Sequence, residues 1–161
     1  MSDTLILGVG NTIRGDDSIG IHCVRKLREI LPQFFEIKES TTAGLDLLSA
    51  IVGFRKVILI DAIQTPNGVV GQVYRLSLEE FVCSTHLSST HAFNFKQLVA
   101  LGNEVMGGAM PQVEVLAIEA EKLNEFSEEL STKLENQFDT IVENVRNEID
   151  NIVYANKEGV K

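Results

Sequence analysis

The sequence has no tryptophan, only three prolines, two cysteines and three histidines in 161 residues. Cys23 and Cys83 lack the C-x-x-C spacing of a zinc or redox site. Cys23 falls within an apolar helical pattern and reads as a small core residue. Cations are also scarce, since 14 Lys and Arg against 23 Asp and Glu leave a net charge of −9. Nucleic-acid binding needs clustered cations to displace counterions and is excluded, whereas a neutral or basic protein partner suits the balance. No apolar run approaches the ~20 residues of a membrane span. The first such run, from Leu5, has no basic segment before it and is broken by glycines, so it is not a signal peptide. The protein is expected to be cytoplasmic.

What is present is an ordinary soluble composition, 44% hydrophobic and 23% charged, with no repeat, linker or low-complexity segment. Residues 1–155 are expected to form one α/β domain and residues 156–161 a frayed tail. Thr4 to Val9 is a continuous apolar run, as in a central parallel strand. Ile19, Cys23, Val24, Leu27 and Leu31 then repeat at helical spacing up to Pro32. A strand is expected over Phe34 to Lys38, nearer an edge because apolar and charged residues alternate there. A short helix follows over Leu45 to Val52. Lys56 to Ala62 is the strongest strand, four branched aliphatics running into Asp61. Gly71 to Leu76 alternates like a strand that returns antiparallel. Residues 83–90 read as a polar loop. A helix from His91 is expected to carry Phe93, Leu98, Leu101 and Val105, and Gln112 to Ile118 is a last strand. From Leu123 to about Val153, Phe126, Leu130, Leu134, Phe138, Ile141, Val145 and Ile149 mark one long amphipathic helix. This alternation predicts a three-layer α/β sandwich, with a five-stranded, mostly parallel, twisted sheet and helices on both faces.

The chemistry gathers where such sheets build sites, outside the carboxyl ends of adjacent parallel strands. Asp16 and Asp17 follow the first strand and Asp61 ends the third, so the topology brings them to one crevice. A histidine in front of the helix beyond the polar loop completes two carboxylates and one imidazole, a donor set suited to Ni, Zn, Fe or Mn rather than Ca or Mg. Each candidate has a plainer alternative. Asp16 or Asp17 also suits a helix N-cap or first-turn acid, Asp61 could accept turn amides, and His86 competes with His91. His22 falls inside the first helix. The Gly8-x-Gly10 turn suggests a nucleotide, yet the third glycine of that fingerprint is replaced by Ile13, and no ribose-binding acid stands at the usual distance. No Walker lysine, Gly-x-Ser-x-Gly or His-Glu-x-x-His is present.

Taken in order, Gly8-Val9-Gly10-Asn11, Asp16-Asp17-x-x-Gly20, Thr42-Ala43-Gly44, Ile60-Asp61-Ala62 and His91 at a helix start closely resemble the [NiFe]-hydrogenase maturation endopeptidases, over nearly the whole chain. The resemblance implies an enzyme that removes the C-terminal extension of a [NiFe]-hydrogenase large-subunit precursor after nickel insertion. It implies catalytic and metal-contacting roles for Asp17, Asp61 and His91, with the nickel carried by the substrate, and so favours His91 over His86. It also implies substrate-binding roles for Gly10, Asn11, Glu39, Thr42 and Gly44, and a monomer is expected. Two departures stand out. Ser18 replaces a usual glycine and makes the turn less permissive, and Glu39 stands where many members carry an aspartate. Two alternatives remain: a nickel-checkpoint chaperone that recognises the loaded subunit without cutting it, and a nucleotide-binding α/β protein.

Overall fold

The computed structural model describes residues 3–41, 45–86 and 88–155. Five strands, β1 (Thr4–Val9), β2 (Glu36–Ser40), β3 (Lys56–Ile63), β4 (Val73–Ser77) and β5 (Gln112–Glu119), form one sheet in the order β2-β1-β3-β5-β4. All neighbours pair parallel except β4 with β5. The helices are α1 (Ile19–Ile30), α2 (Leu45–Ile51), α3 (Leu78–Cys83), α4 (Ala92–Met106) and α5 (Thr132–Tyr154), with a 3₁₀ turn over Gly15–Ser18 before α1.

Side chains alternate across the strands and divide the core in two. Ile6, Ile58, Ile60, Leu116 and Ile118 pack against α1 and α5. Leu5, Leu7, Val9, Leu59, Val115 and Ala117 face the other way, onto Leu47 of α2, Phe81 of α3 and Phe95 and Leu98 of α4. This is the expected three-layer sandwich. From β1 the chain moves outward to β2 through α1, then crosses back beyond β1 to β3 through α2. The crevice between the carboxyl ends of β1 and β3 is therefore the topological switch point.

Several elements depart from the sequence reading. The edge strand β2 begins at Glu36, two residues later than expected, and Phe34 lies 57% exposed in the preceding turn. Asp61 does not end its strand, because β3 continues to Ile63 beside β5. It is the first β3 residue beyond the ladder with β1, whose last pair is Gly8 with Ile60. Helix α3 falls between the expected strand and the expected polar loop, with only Cys83 inside the latter, and a capping box formed by Ser77 and Glu80 starts it. Helix α4 buries Phe95, Leu98 and Gly102, while Leu101 and Val105 face solvent.

The largest difference is that α5 begins at Thr132, not near Leu123. Residues 121–131 form a loop held by the carboxylate of Asp16, which accepts the amides of Glu121 and Lys122 at 3.0 Å and of Ser131 at 2.6 Å. Ser127 adds two backbone bonds to the opposing turn, one to the Ile13 carbonyl and one from the Gly15 amide. Amides committed to these partners cannot continue a helix. Phe126, expected in the buried stripe, is consequently 86% exposed. The expected tail over residues 156–161 lies outside the described residues.

Candidate functional site

The first carboxylate is delivered by close backbone packing. A Cβ on Gly10 would lie 2.2 Å from the carbonyl oxygen of Asp17, and one on Gly20 would lie 2.3 Å from that of Ile60. Only glycine at these two positions lets the turn and the first turn of α1 rest directly on the sheet ends. The Gly8-x-Gly10 corner is thus filled by the chain itself, which leaves no cradle for a phosphate. Asn11 stabilises the same turn, its Oδ1 accepting the Ile13 amide at 3.1 Å while its own amide donates to Asp17 Oδ2 at 2.9 Å. Ser18 adopts φ −84°, so no glycine is needed there, and its hydroxyl donates to the Gly15 carbonyl at 2.7 Å. The positive φ of this turn, +55°, falls at Gly15 instead.

Asp61 shares a face of β3 with Leu59 and Ile63 and so points to the α4 side of the sheet. There it meets His91, the N-cap residue of α4. His91 Nδ1 lies 3.1 Å from Asp61 Oδ1, and Nε2 lies 3.8 Å from Asp17 Oδ2. All three side chains are buried, with Asp61 fully enclosed and His91 7% exposed. One ligand atom from each lies within 4.8 Å of the other two. Asp61 Oδ1 also accepts its neighbouring Ala62 amide at 2.9 Å, and Oδ2 accepts the Ser89 hydroxyl at 2.8 Å. Thr90 Oγ1 donates to Asp17 Oδ1 and lies 3.0 Å from His91 Nδ1.

Burial raises the Asp61 carboxyl above the usual carboxylate range, against the opposing pull of His91 and Ser89. Burial also pushes the His91 imidazole down, but the Asp61 hydrogen bond and the charges of Asp61 and Asp17 outweigh it, leaving a net rise. The site is therefore an acid-rich pocket that favours positive charge on its third member. A cation is the natural occupant of such a setting, and two carboxylates with one imidazole fit a transition metal.

The remaining candidates lie elsewhere or serve other ends. Asp16 fixes the 121–131 loop and caps none of the helices near it. His86 is exposed, and His22 lies on α1 with its ring edge-on to Phe138. Glu39 sits on the α1 side of β2, ion-paired at 2.9 Å with Arg25, and is not brought to the triad. Arg25 holds its carboxyl below the usual range. Thr42 and Gly44 lie outside the described residues. Sequence reasoning missed Ser89 and Thr90, which it left within the polar loop. The one available signal was two hydroxyl residues directly before the candidate histidine.

Residues 21–148 match the family model described as HycI, hydrogenase maturation protease. The chain belongs to the hydrogenase maturation protease family. That match contains Asp61 and His91 and begins just after Asp17. The chain is 38% identical over 78 residues to the Hydrogenase 2 maturation protease of Escherichia coli K12. This alignment covers 47% of the chain and 48% of the relative, so the chain spans about half the length of that curated relative. Among solved structures, the hydrogenase maturating endopeptidase HybD from E. coli superposes with a TM-score of 0.73 at 26% identity, over 90% of each chain. The [NiFe] hydrogenase maturation protease HybD from Thermococcus kodakarensis gives a TM-score of 0.74 over 91% of this chain and 98% of that one. At 22% identity, this second likeness speaks for the fold alone. Membership of the hydrogenase maturation protease family agrees with the five-stranded sheet of the fold. No helix among the described residues is long and apolar enough to cross a membrane.

Proposed function

We propose that this chain is an endopeptidase that removes the C-terminal extension of a [NiFe]-hydrogenase large-subunit precursor once nickel has been inserted. In this reading the nickel arrives on the substrate and is met by Asp17, Asp61 and His91. The supporting observation is their convergence: three buried donors from three separate segments, their ligand atoms within 4.8 Å of one another. Three protein donors leave coordination positions for the groups that already hold the ion in the precursor. A substrate lacking nickel would leave the carboxylates without their cation, which makes cleavage a check on metal loading.

The reaction adds one water across a peptide bond. The water oxygen bonds to the carbonyl carbon, the C–N bond breaks, and the proton released ends on the departing amine. The carboxylates supply the base for this transfer, and the ion offers a Lewis acid for the carbonyl or the water. Gly10 and Asn11 contribute through the turn that fixes Asp17.

The test is intact-mass analysis of the precursor, with and without nickel, after incubation with the protein. Loss of a C-terminal peptide from the loaded form alone is expected. Stable binding of the loaded precursor with no change in mass would assign a chaperone instead.

A further inference from the structure

We propose that Thr90 is a positioning residue that joins Asp17 to His91 and sets which atoms the two present to the substrate's nickel. This rests on the reading of the site given above. A threonine hydroxyl carries one hydrogen and two lone pairs. Asp17, as a carboxylate, only accepts, so the Thr90 hydrogen goes to Asp17 Oδ1. His91 Nδ1, 3.0 Å from Thr90 Oγ1, can then meet that hydroxyl oxygen only as a donor. Asp61 Oδ1, 3.1 Å from Nδ1, makes the same demand. Two independent acceptors thus place the hydrogen on Nδ1.

Nε2 is left as the nitrogen with a free lone pair in the neutral ring, and it is the atom that faces Asp17 Oδ2 at 3.8 Å. Asp17 is oriented by the same wiring. Its Oδ1 is turned to Thr90 and its Oδ2 takes the Asn11 amide at 2.9 Å, with a further lone pair toward Nε2. Ser89 performs the matching task for Asp61, donating to Oδ2 while its oxygen accepts the His91 amide at 3.2 Å. Three consecutive residues therefore supply the imidazole and tether both carboxylates. Partners that fix the tautomer and orientation of a ligand typically alter affinity or activity by 10–100-fold when removed.

The test compares wild type with Thr90→Val, which keeps the shape and deletes the hydroxyl, and Thr90→Ser, which keeps the hydroxyl. With nickel-loaded precursor, Thr90→Val is expected to lower kcat about 10–100-fold with KM little changed, and Thr90→Ser to restore most of the loss. Long-range ¹H–¹⁵N spectra of the free protein, recorded with the ring neutral, provide a readout that does not depend on cleavage. They should show the wild-type His91 hydrogen on Nδ1, and ring shifts that move in Thr90→Val and return in Thr90→Ser. A hydrogen on Nε2, unmoved shifts in Thr90→Val, wild-type kcat in Thr90→Val, or Thr90→Ser as slow as Thr90→Val would each overturn the assignment. If wild type leaves the loaded precursor uncut, the proposed function fails, and the spectra alone decide the wiring.

Discussion

Asp16 and Asp17 are neighbours in sequence, yet their carboxylates serve different parts of the molecule. Asp16 Oδ1 accepts the amide of Ser131 at 2.6 Å, while Asp17 Oδ2 accepts that of Asn11 at 2.9 Å and faces His91. One acid shapes the 121–131 loop and the other the site. Asp16→Ala should therefore lower stability by at least ~2 kcal/mol, because three backbone amides lose their acceptor. Urea unfolding reads this loss, and the protein that remains folded should still cut precursor. Unchanged stability would contradict the clamp.

The two cysteines should differ in reactivity. Burial pushes the Cys23 thiol up to about 12, whereas Cys83 is exposed. Iodoacetamide at mildly alkaline pH should modify Cys83 alone in the native protein and both residues after unfolding. The same shift gives a pH dependence. Above its ordinary value of 9.0 the unfolded chain releases the Cys23 proton and the native state keeps it. This contribution is whole below that value and is lost as pH rises toward about 12, by up to ~1.4 kcal/mol per pH unit. Cys23→Ala should flatten the alkaline limb of the stability curve relative to wild type, and parallel curves would refute this.

The start of α5 is testable through two residues of the expected stripe. Phe126 is 86% exposed and Leu134 fully buried. Phe126→Ala should change stability by no more than about 0.5 kcal/mol, whereas Leu134→Ala should cost ~2–5 kcal/mol. Equal losses would mean that Phe126 packs in the core after all.

Gly10 tests the corner. A methyl there would meet the Asp17 carbonyl oxygen at 2.2 Å, so the turn has to move. Gly10→Ala should cost about 1–3 kcal/mol and slow precursor cleavage by displacing Asp17. A stable, fully active variant would contradict the close approach.

The strands were readable because β1 and β3 are unbroken apolar runs, as strands covered on both faces must be. Asp17, Asp61 and His91 were readable because ionisable residues beside buried runs need a reason to be there. What the sequence concealed depends on partners distant along the chain. Phe126 and Leu130 keep helical spacing, but the amides of Glu121, Lys122 and Ser131 are drawn to Asp16 across more than a hundred residues. Val105 likewise fits a periodic pattern, yet α4 turns Gly102 inward instead. Ser89 and Thr90 resembled loop residues because a hydroxyl's partner has no signature in sequence. The capping box at Ser77 and Glu80 was visible, and it marks a helix that pattern reading passed over.

Asp17, Asp61 and His91 are expected to act together on a nickel-loaded precursor. Asp17→Asn, Asp61→Asn and His91→Ala, each shown to be folded, should be mixed with that precursor and release of the C-terminal peptide followed by mass spectrometry. Each is expected to cut at least ~100-fold more slowly than wild type, while undiminished cleavage by all three would contradict the account.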